Sequence, residues 1–137
     1  MKTARRYARE LAMQGIFQWQ FNHDLTSLLI EEYLRENRQF LKADEALLSN
    51  ILQGVLANTQ ALFAKIIPYY DCQESEVKPI ERAILLISTY ELLYHPDTPS
   101  AVILNEAIEI AKIFVGTDGY KFVNAVLDKL ALDIRKP

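Results

Sequence analysis

Two amphipathic helical patterns meet at one glycine-rich break, and this arrangement constrains the fold more than any other part of the sequence. Apolar residues recur every three or four positions on both sides of the break, first as Leu104, Ala107, Ile108, Ala111 and Val115, then as Val123, Val126, Leu127, Leu130 and Ile134. This spacing is typical of helices that bury one face. We predict that Gly116 ends the first helix in a left-handed conformation and that Thr117 or Asp118 caps the second.

Aromatic residues crowd this corner without joining either apolar face. At about 100° per residue, Phe114 points roughly 80° from the centre of the first face, and Phe122 roughly 100° from the centre of the second. Lys121 falls in the first turn of the second helix, where a cation opposes the helix dipole. Core packing is the ordinary explanation for such aromatics. Their off-centre positions instead favour a binding surface made of Phe114, Asp118, Lys121 and Phe122.

The composition predicts an all-α protein with a single compact domain. The chain has 137 residues, half of them hydrophobic, and its apolar residues follow helical spacing almost throughout. No apolar run approaches the roughly 20 residues that cross a bilayer, and the N-terminus lacks a signal-peptide core. The single Cys72 suits a reducing compartment. We therefore expect a cytoplasmic protein that does not enter a membrane.

The pattern predicts six or seven helices arranged as two subdomains. The first helix should run from about Thr3 to Gln20, the second from Leu25 to Phe40, and the third from Asp44 to Tyr69, with a possible kink at Gly54. A polar connector over residues 71–78 then precedes a nearly all-apolar helix from Ile80 to Tyr94, which should be the most buried. The predicted subdomains are residues 1–70 and 79–137.

Charge is distributed unevenly along the chain. Its net charge is -3, which argues weakly against nucleic acid as a ligand. However, Lys2, Arg5, Arg6 and Arg9 all precede the first acidic residue, while the rest of the chain contains 11 basic and 18 acidic residues. Such asymmetry predicts a local anion-binding patch at the N-terminus. A solvated helix end is the alternative explanation.

The first helix places an aromatic residue below this basic run. Arg9, Met13 and Phe17 are spaced four residues apart, with Arg6 beside them, and we predict that they share an exposed face. Unpaired bases stack on aromatic rings and arginine planes at roughly 1 to 3 kcal/mol per base, while Lys and Arg bind phosphates. The two surfaces together predict a site for single-stranded RNA, provided that they adjoin in the fold.

Motifs for catalysis, metal or cofactor binding are absent from the sequence. His23 and His95 have no second ligand at helical spacing, and Glu106 with Glu109 fits a solvated helix face. There is no phosphate-binding glycine loop and no nucleophile motif. We expect neither an enzyme nor a cofactor.

Three segments resemble the NusB family of bacterial transcription antitermination factors. They are ARRYARELAMQGIFQWQ at 4–20, IERAILLISTYELLY at 80–94 and LNEAIEIAKIFVGTDGYKFVNAVLDKLA at 104–131, of which KFVNAVLDK is the most specific. The resemblance implies an all-α fold of two helical subdomains and a non-enzymatic role. It also implies binding of boxA RNA with NusE, a small-subunit ribosomal protein, in an antitermination complex on RNA polymerase.

The resemblance also implies roles for particular residues. Its RNA surface corresponds to Lys2, Arg5, Arg6, Arg9, Phe17, Phe114, Asp118, Lys121 and Phe122, and its partner surface to Phe17 and Glu81. Phe17 stands where a tyrosine is common in the family, which removes a hydroxyl group. Gly119 and Tyr120 stand where a Ser-His pair is frequent. Two alternatives stay open: a module that binds only proteins through its aromatics, and a free homodimer that hides the same surface.

Overall fold

The computed structural model describes residues 1–136 and is all-helical, which confirms the predicted fold class. Seven α-helices follow one another along the chain, and no β-strand occurs among the described residues. They are α1 (Ala4–Trp19), α2 (Ser27–Leu34), α3 (Glu45–Ala57), α4 (Thr59–Ile66), α5 (Pro79–Tyr94), α6 (Ser100–Phe114) and α7 (Thr117–Ile134). Short 3-10 turns lie at Arg38–Lys42, Ile67–Tyr69 and Glu74–Glu76. No helix within residues 1–136 combines the length and apolar character needed to span a membrane.

The second and third predicted helices are each divided. The helix predicted to reach Phe40 ends at Leu34, and a 3-10 turn follows it. The helix predicted from Asp44 to Tyr69 breaks at Asn58, whose side chain donates a hydrogen bond to the Gly54 carbonyl at 2.8 Å. The predicted kink at Gly54 is therefore wrong. Gly54 instead allows close packing, because a Cβ atom there would lie 2.1 Å from the Tyr90 ring.

Helix α5 occupies the centre of the molecule, as its apolar sequence predicts. Pro79 is its first residue, a position where the missing N–H has no partner to lose. Helices α1, α3 and α4 pack against it from one half of the chain, and α6 and α7 from the other. One continuous cluster of buried side chains runs through both halves. The division into two subdomains stays a prediction.

The directions of the helices bring four helix ends together. Helices α1 and α5 are antiparallel, since Arg9 pairs with Glu91 while Gln20 donates a hydrogen bond to the Pro79 carbonyl at 2.7 Å. Short turns then make α6 antiparallel to α5 and α7 antiparallel to α6. The end of α1, the start of α5, the end of α6 and the start of α7 therefore lie at one end of the molecule, the corner end. The opposite end carries Lys2, Arg5 and Arg6 and is called the basic end.

Arg135 joins the last helix to the far end of α5. Its guanidinium donates hydrogen bonds to the carbonyls of Leu92 at 3.1 Å, Thr98 at 2.6 Å and His95 at 2.9 Å. These carbonyls belong to the last turn of α5 and the loop after it, where helical carbonyls lack backbone partners. The single side chain therefore satisfies several of these groups at once.

The corner between α6 and α7 depends on Gly116. Its φ of 96° and ψ of -172° lie in an extended region with positive φ that is essentially restricted to glycine. The predicted left-handed helical conformation is therefore wrong in ψ. Thr117 and Asp118 already belong to the first turn of α7, and neither side chain forms a capping hydrogen bond, which corrects the predicted cap.

Candidate functional site

The predicted exposed face of α1 is buried at two of its three positions. Arg9 is 5% exposed and Met13 is 2% exposed, and both line a small cavity with residues of α5 and α6. The Arg9 Nε donates to both carboxylate oxygens of Glu91, at 3.0 and 3.1 Å, and its Nη1 donates to Glu106 at 3.2 Å. The prediction of an exposed row of Arg9, Met13 and Phe17 is wrong. Any RNA-binding role of Arg9 stays a prediction.

Two other cations of the basic run are also paired within the protein. Arg6 donates to Glu106 through Nη2, and Lys2 lies 2.9 Å from the buried Glu10. Glu106 is therefore not the solvated carboxylate that the sequence predicted. Arg5 is exposed and has no carboxylate within 4.0 Å among residues 1–136. The basic end thus presents less free positive charge than its sequence indicates.

The proximity of these groups alters their acid–base properties. The hydrogen bond from Arg6 to Glu106 raises the pKa of Arg6. Burial acts to raise the pKa of Glu106, but the hydrogen bonds and charges of Arg6 and Arg9 outweigh it, so that the pKa is lowered. Glu106 is therefore firmly ionised at neutral pH and accepts hydrogen bonds from two arginines.

A seam between α1 and α6 connects the basic end to the corner end. The two helices run in the same direction, and Met13 and Ile110 line one small cavity between them. One turn further along each helix are Phe17 and Phe114, so that both lie at the corner end. Arg6 and Phe17 are separated by about 16 Å along α1 at 1.5 Å per residue. The basic and aromatic surfaces thus lie at two ends of one seam.

The corner end exposes polar groups beside half-buried aromatic rings. Phe114 and Phe122 both pack partly against the core, and the Phe122 ring lies 5.7 Å from that of Tyr70 between centroids. Asp118 and Lys121 are exposed on the first turns of α7. The off-centre positions inferred for the two phenylalanines agree with this partial burial. Their binding roles stay predictions.

A cleft of about 230 Å³ separates the start of α5 from the start of α7. Lys78, Glu81, Asp118 and Phe122 line it. Glu81 is only 6% exposed and accepts a hydrogen bond from the Lys78 backbone N–H at 2.8 Å. Glu81, which the resemblance assigns to the partner surface, is therefore largely buried. A partner could reach it only through the cleft, so its partner-binding role stays a prediction.

Gly119 forms the wall of this cleft opposite Glu81. A Cβ atom at Gly119 would lie 1.8 Å from Val115 Cγ1 and 3.3 Å from Glu81 Oε2. A serine at this position, as is frequent in the family that the sequence resembles, therefore requires a different local packing. Gly119 lies in the first turn of α7, and its missing side chain leaves room for Val115.

Phe21 extends the aromatic surface beyond Phe17 and was missed at the level of sequence. The two rings meet edge to face, with centroids 5.2 Å apart, and Phe21 is 68% exposed. Its four-residue spacing from Phe17 was the available signal. Phe21 also lines a groove of about 1010 Å³, together with Trp19, His23, Phe63 and Arg82. The Trp19 and His23 rings are stacked within this groove, 4.2 Å apart.

In the part of the chain that the structure describes, no three His, Cys, Asp or Glu side chains are grouped so as to hold a metal ion. The candidate site contains cations, aromatic rings and carboxylates. These groups can bind phosphates, stack on bases or pack against a protein.

Comparison with known proteins supplies the context for this surface. A model of the NusB family matches residues 6–132. The transcription antitermination protein NusB of Chromobacterium violaceum is 58% identical over 135 residues, which cover 98% of this chain and 91% of that protein. The protein of the same name from Laribacter hongkongensis is 52% identical, with 98% and 81% covered. The solved structure of T. maritima NusB matches with a TM-score of 0.79 and 32% identity, covering 96% of this chain and 92% of that one.

Proposed function

Since the chain belongs to the NusB family, we propose that it binds boxA-type single-stranded RNA together with the small-subunit ribosomal protein NusE. Its role is transcription antitermination, and it is not an enzyme. Bound to nascent RNA, the pair would join an antitermination complex on RNA polymerase and support transcription of ribosomal RNA. Such a role belongs in the cytoplasm of a bacterium.

The α1–α6 seam is the observation that carries this proposal. Cations lie at its basic end, while half-buried aromatic rings lie at its corner end. A single strand can be held by phosphate contacts at one end and by base stacking at the other. Arg5 would bind a phosphate first, because Lys2, Arg6 and Arg9 are already paired with carboxylates. Phe114 and Phe122 would stack on bases beside Asp118 and Lys121.

The partner surface is proposed to begin at Phe17 and continue over Phe21. Phe21 is an exposed aromatic that the core does not use, and such residues are frequent anchors in protein interfaces. Glu81 would contribute through the nearby cleft. In the absence of the partner, this exposed apolar surface could support a homodimer.

A purely protein-binding module remains the second candidate, and one observation favours it. Lys2, Arg6 and Arg9 each have carboxylate partners, so fewer cations face solvent than an RNA site would use. Salt separates the two functions, because RNA binding releases counterions and weakens steeply as salt rises. An apolar protein contact would respond weakly to salt.

The test is a titration of a fluorescent boxA-like RNA with and without NusE, at several salt concentrations. Arg5→Ala should weaken RNA binding several-fold. It should also reduce the slope of log affinity against log salt concentration by about one, the amount expected for one lost phosphate contact. The matched control is Arg38→Ala, which removes the same charge from an exposed position in the turn after α2. Equal affinities for these two variants would exclude Arg5 from the site.

The aromatic half of the proposal has its own comparison. Phe122→Ala should cost roughly 1 to 3 kcal/mol of binding free energy if its ring stacks on a base. Phe63→Ala removes a similarly half-buried ring from α4, in the groove near Trp19, and should leave RNA affinity unchanged. Absence of RNA binding by the wild type, with or without NusE, would refute the RNA function.

A further inference from the structure

Arg6 is held in an arrangement that leaves part of its hydrogen-bonding capacity unused. Its Nη2 donates to Glu106, while its Nε–H is enclosed by protein and has no acceptor. A buried donor without a partner costs free energy, because it has lost its contact with water. The side chain remains 17% exposed and lies at the protein surface. Arg6 would therefore gain an acceptor for Nε by moving outward.

Glu106 keeps a cationic partner when Arg6 departs. Arg9 Nη1 donates to Glu106 at 3.2 Å, and Arg9 is itself fixed by its two-oxygen contact with Glu91. An isolated buried charge would be the main energetic cost of moving Arg6 away from Glu106. Because Arg9 still donates to Glu106, the departure of Arg6 does not create one. Of the two arginines at Glu106, only the more exposed Arg6 is free to exchange.

We propose that Arg6 exchanges between Glu106 and an RNA phosphate, and that Glu106 is an internal competitor that lowers RNA affinity. This inference rests on the proposed function. A carboxylate and a phosphate present similar pairs of oxygens to a guanidinium, so one can replace the other. The phosphate contact also provides an acceptor for the Nε–H that lacks one in the free protein.

The competition makes the basic end selective for a strand over a single anion. An isolated phosphate must displace Glu106 without help. A strand already held by Arg5 and by stacking at the corner end presents its next phosphate at a high effective concentration. Glu106 thus discourages binding of small anions while it permits binding of RNA.

The experiment compares Glu106→Gln with Glu109→Gln in titrations of a boxA-like RNA. Both substitutions remove one negative charge from α6, so that the change in long-range field is matched. Glu109 is 42% exposed, and Lys112, 3.7 Å away, is its partner. Glu106→Gln should bind RNA roughly fivefold more tightly than Glu109→Gln, or better. Equal or weaker binding by Glu106→Gln would overturn the inference.

A double-mutant cycle checks that the gain acts through Arg6. In an Arg6→Ala background, Glu106→Gln should give no gain over Glu109→Gln, because the side chain that is released is absent. A gain that persists there would contradict the exchange. If Glu106→Gln does not fold, Glu106→Asp, which shortens the side chain and lengthens its contact with Arg6, must show the same direction. Failure of every variant and of the wild type to bind RNA would instead overturn the proposed function, and this inference with it.

Discussion

The guanidinium of Arg9 and the carboxylate of Glu91 are 82 positions apart in sequence and form a two-oxygen ion pair inside the protein. The pair joins α1, the first helix, to α5, the central one. Both side chains are almost fully buried. Removing Arg9 therefore leaves the buried Glu91 carboxylate without the guanidinium that donates to both of its oxygens, whereas removing one partner of an exposed pair leaves a charge that water can solvate.

Arg9→Ala should destabilise the protein by about 3 to 5 kcal/mol, the usual cost of leaving a buried charge uncompensated. Chemical denaturation monitored by circular dichroism measures this change. Arg35→Ala is the matched control, because Arg35 forms an ion pair with Glu45 in which both side chains are more than half exposed. That variant should lose less than about 1 kcal/mol. Similar losses for both variants would contradict the structural role of Arg9.

Gly116→Ala should cost roughly 1 to 3 kcal/mol because of its backbone conformation alone. Beyond Gly116 and its two chain neighbours, no atom lies within 4 Å of a Cβ built at this position, so overlap with the surrounding protein makes no contribution. Gly116→Asn distinguishes the extended region with positive φ from the left-handed helical region. Asparagine tolerates the left-handed helical region but not this extended one, so it should destabilise the protein as much as alanine does. An asparagine variant as stable as the wild type would show that the residue is left-handed helical.

Gly54→Ala should cost roughly 1 to 3 kcal/mol through overpacking against Tyr90. The added methyl group would overlap the ring, and both residues are fixed on packed helices. Combining it with Tyr90→Leu should recover part of the loss, because the smaller side chain opens space. Additive losses in this cycle would show that the contact is not responsible.

Acid pH should weaken the wild type more than Glu106→Gln. The pKa of Glu106 is lowered in the folded state, so its ionised form stabilises the protein above its ordinary value near 4.5. That stabilisation is lost as the pH falls through the lowered pKa. The difference in unfolding free energy between the wild type and Glu106→Gln should therefore be smaller at about pH 3.5 than at about pH 7. Glu109→Gln, which lacks these contacts, should show no comparable convergence.

Alkaline pH should lower the free energy of unfolding because of Tyr70. Burial raises its pKa from 10.0 to about 12, and its hydroxyl has no hydrogen-bond partner. The folded state therefore holds this proton above pH 10, where the unfolded chain releases it. The contribution of Tyr70 to the unfolding free energy is unchanged below pH 10 and becomes unfavourable to folding as the pH rises toward 12. Tyr70→Phe should remove this loss and leave neutral-pH stability unchanged or slightly higher. A marked destabilisation at neutral pH would mean that the hydroxyl has a partner.

The sequence predicts well those helices whose apolar spacing is long and regular. Helices α1 and α5 lie within about one residue of their predicted bounds, Thr3 to Gln20 and Ile80 to Tyr94. The break at Asn58 was missed because asparagine disfavours helix only weakly, whereas Gly54 was the more obvious candidate. Gly54 remains helical because its missing side chain makes room for Tyr90, which is a tertiary effect.

The candidate site could be predicted only in part for a similar reason. Phe114 and Phe122 were placed correctly at the edge of the core, since helix geometry fixes their direction. The burial of Arg9 could not be inferred, because its carboxylate partners come from helices 80 or more positions away. A basic run in sequence reports how many cations are present, not how many are already paired.

The position of Arg135 has a consequence for synthesis on the ribosome. The carbonyls of Leu92 and its neighbours at the end of α5 receive hydrogen bonds from a side chain some 40 residues later in the chain. While α6 and α7 are still being translated, these carbonyl oxygens must accept hydrogen bonds from water instead. The end of the central helix can therefore acquire its native partners only after the last helix has emerged, so this part of the fold is completed late.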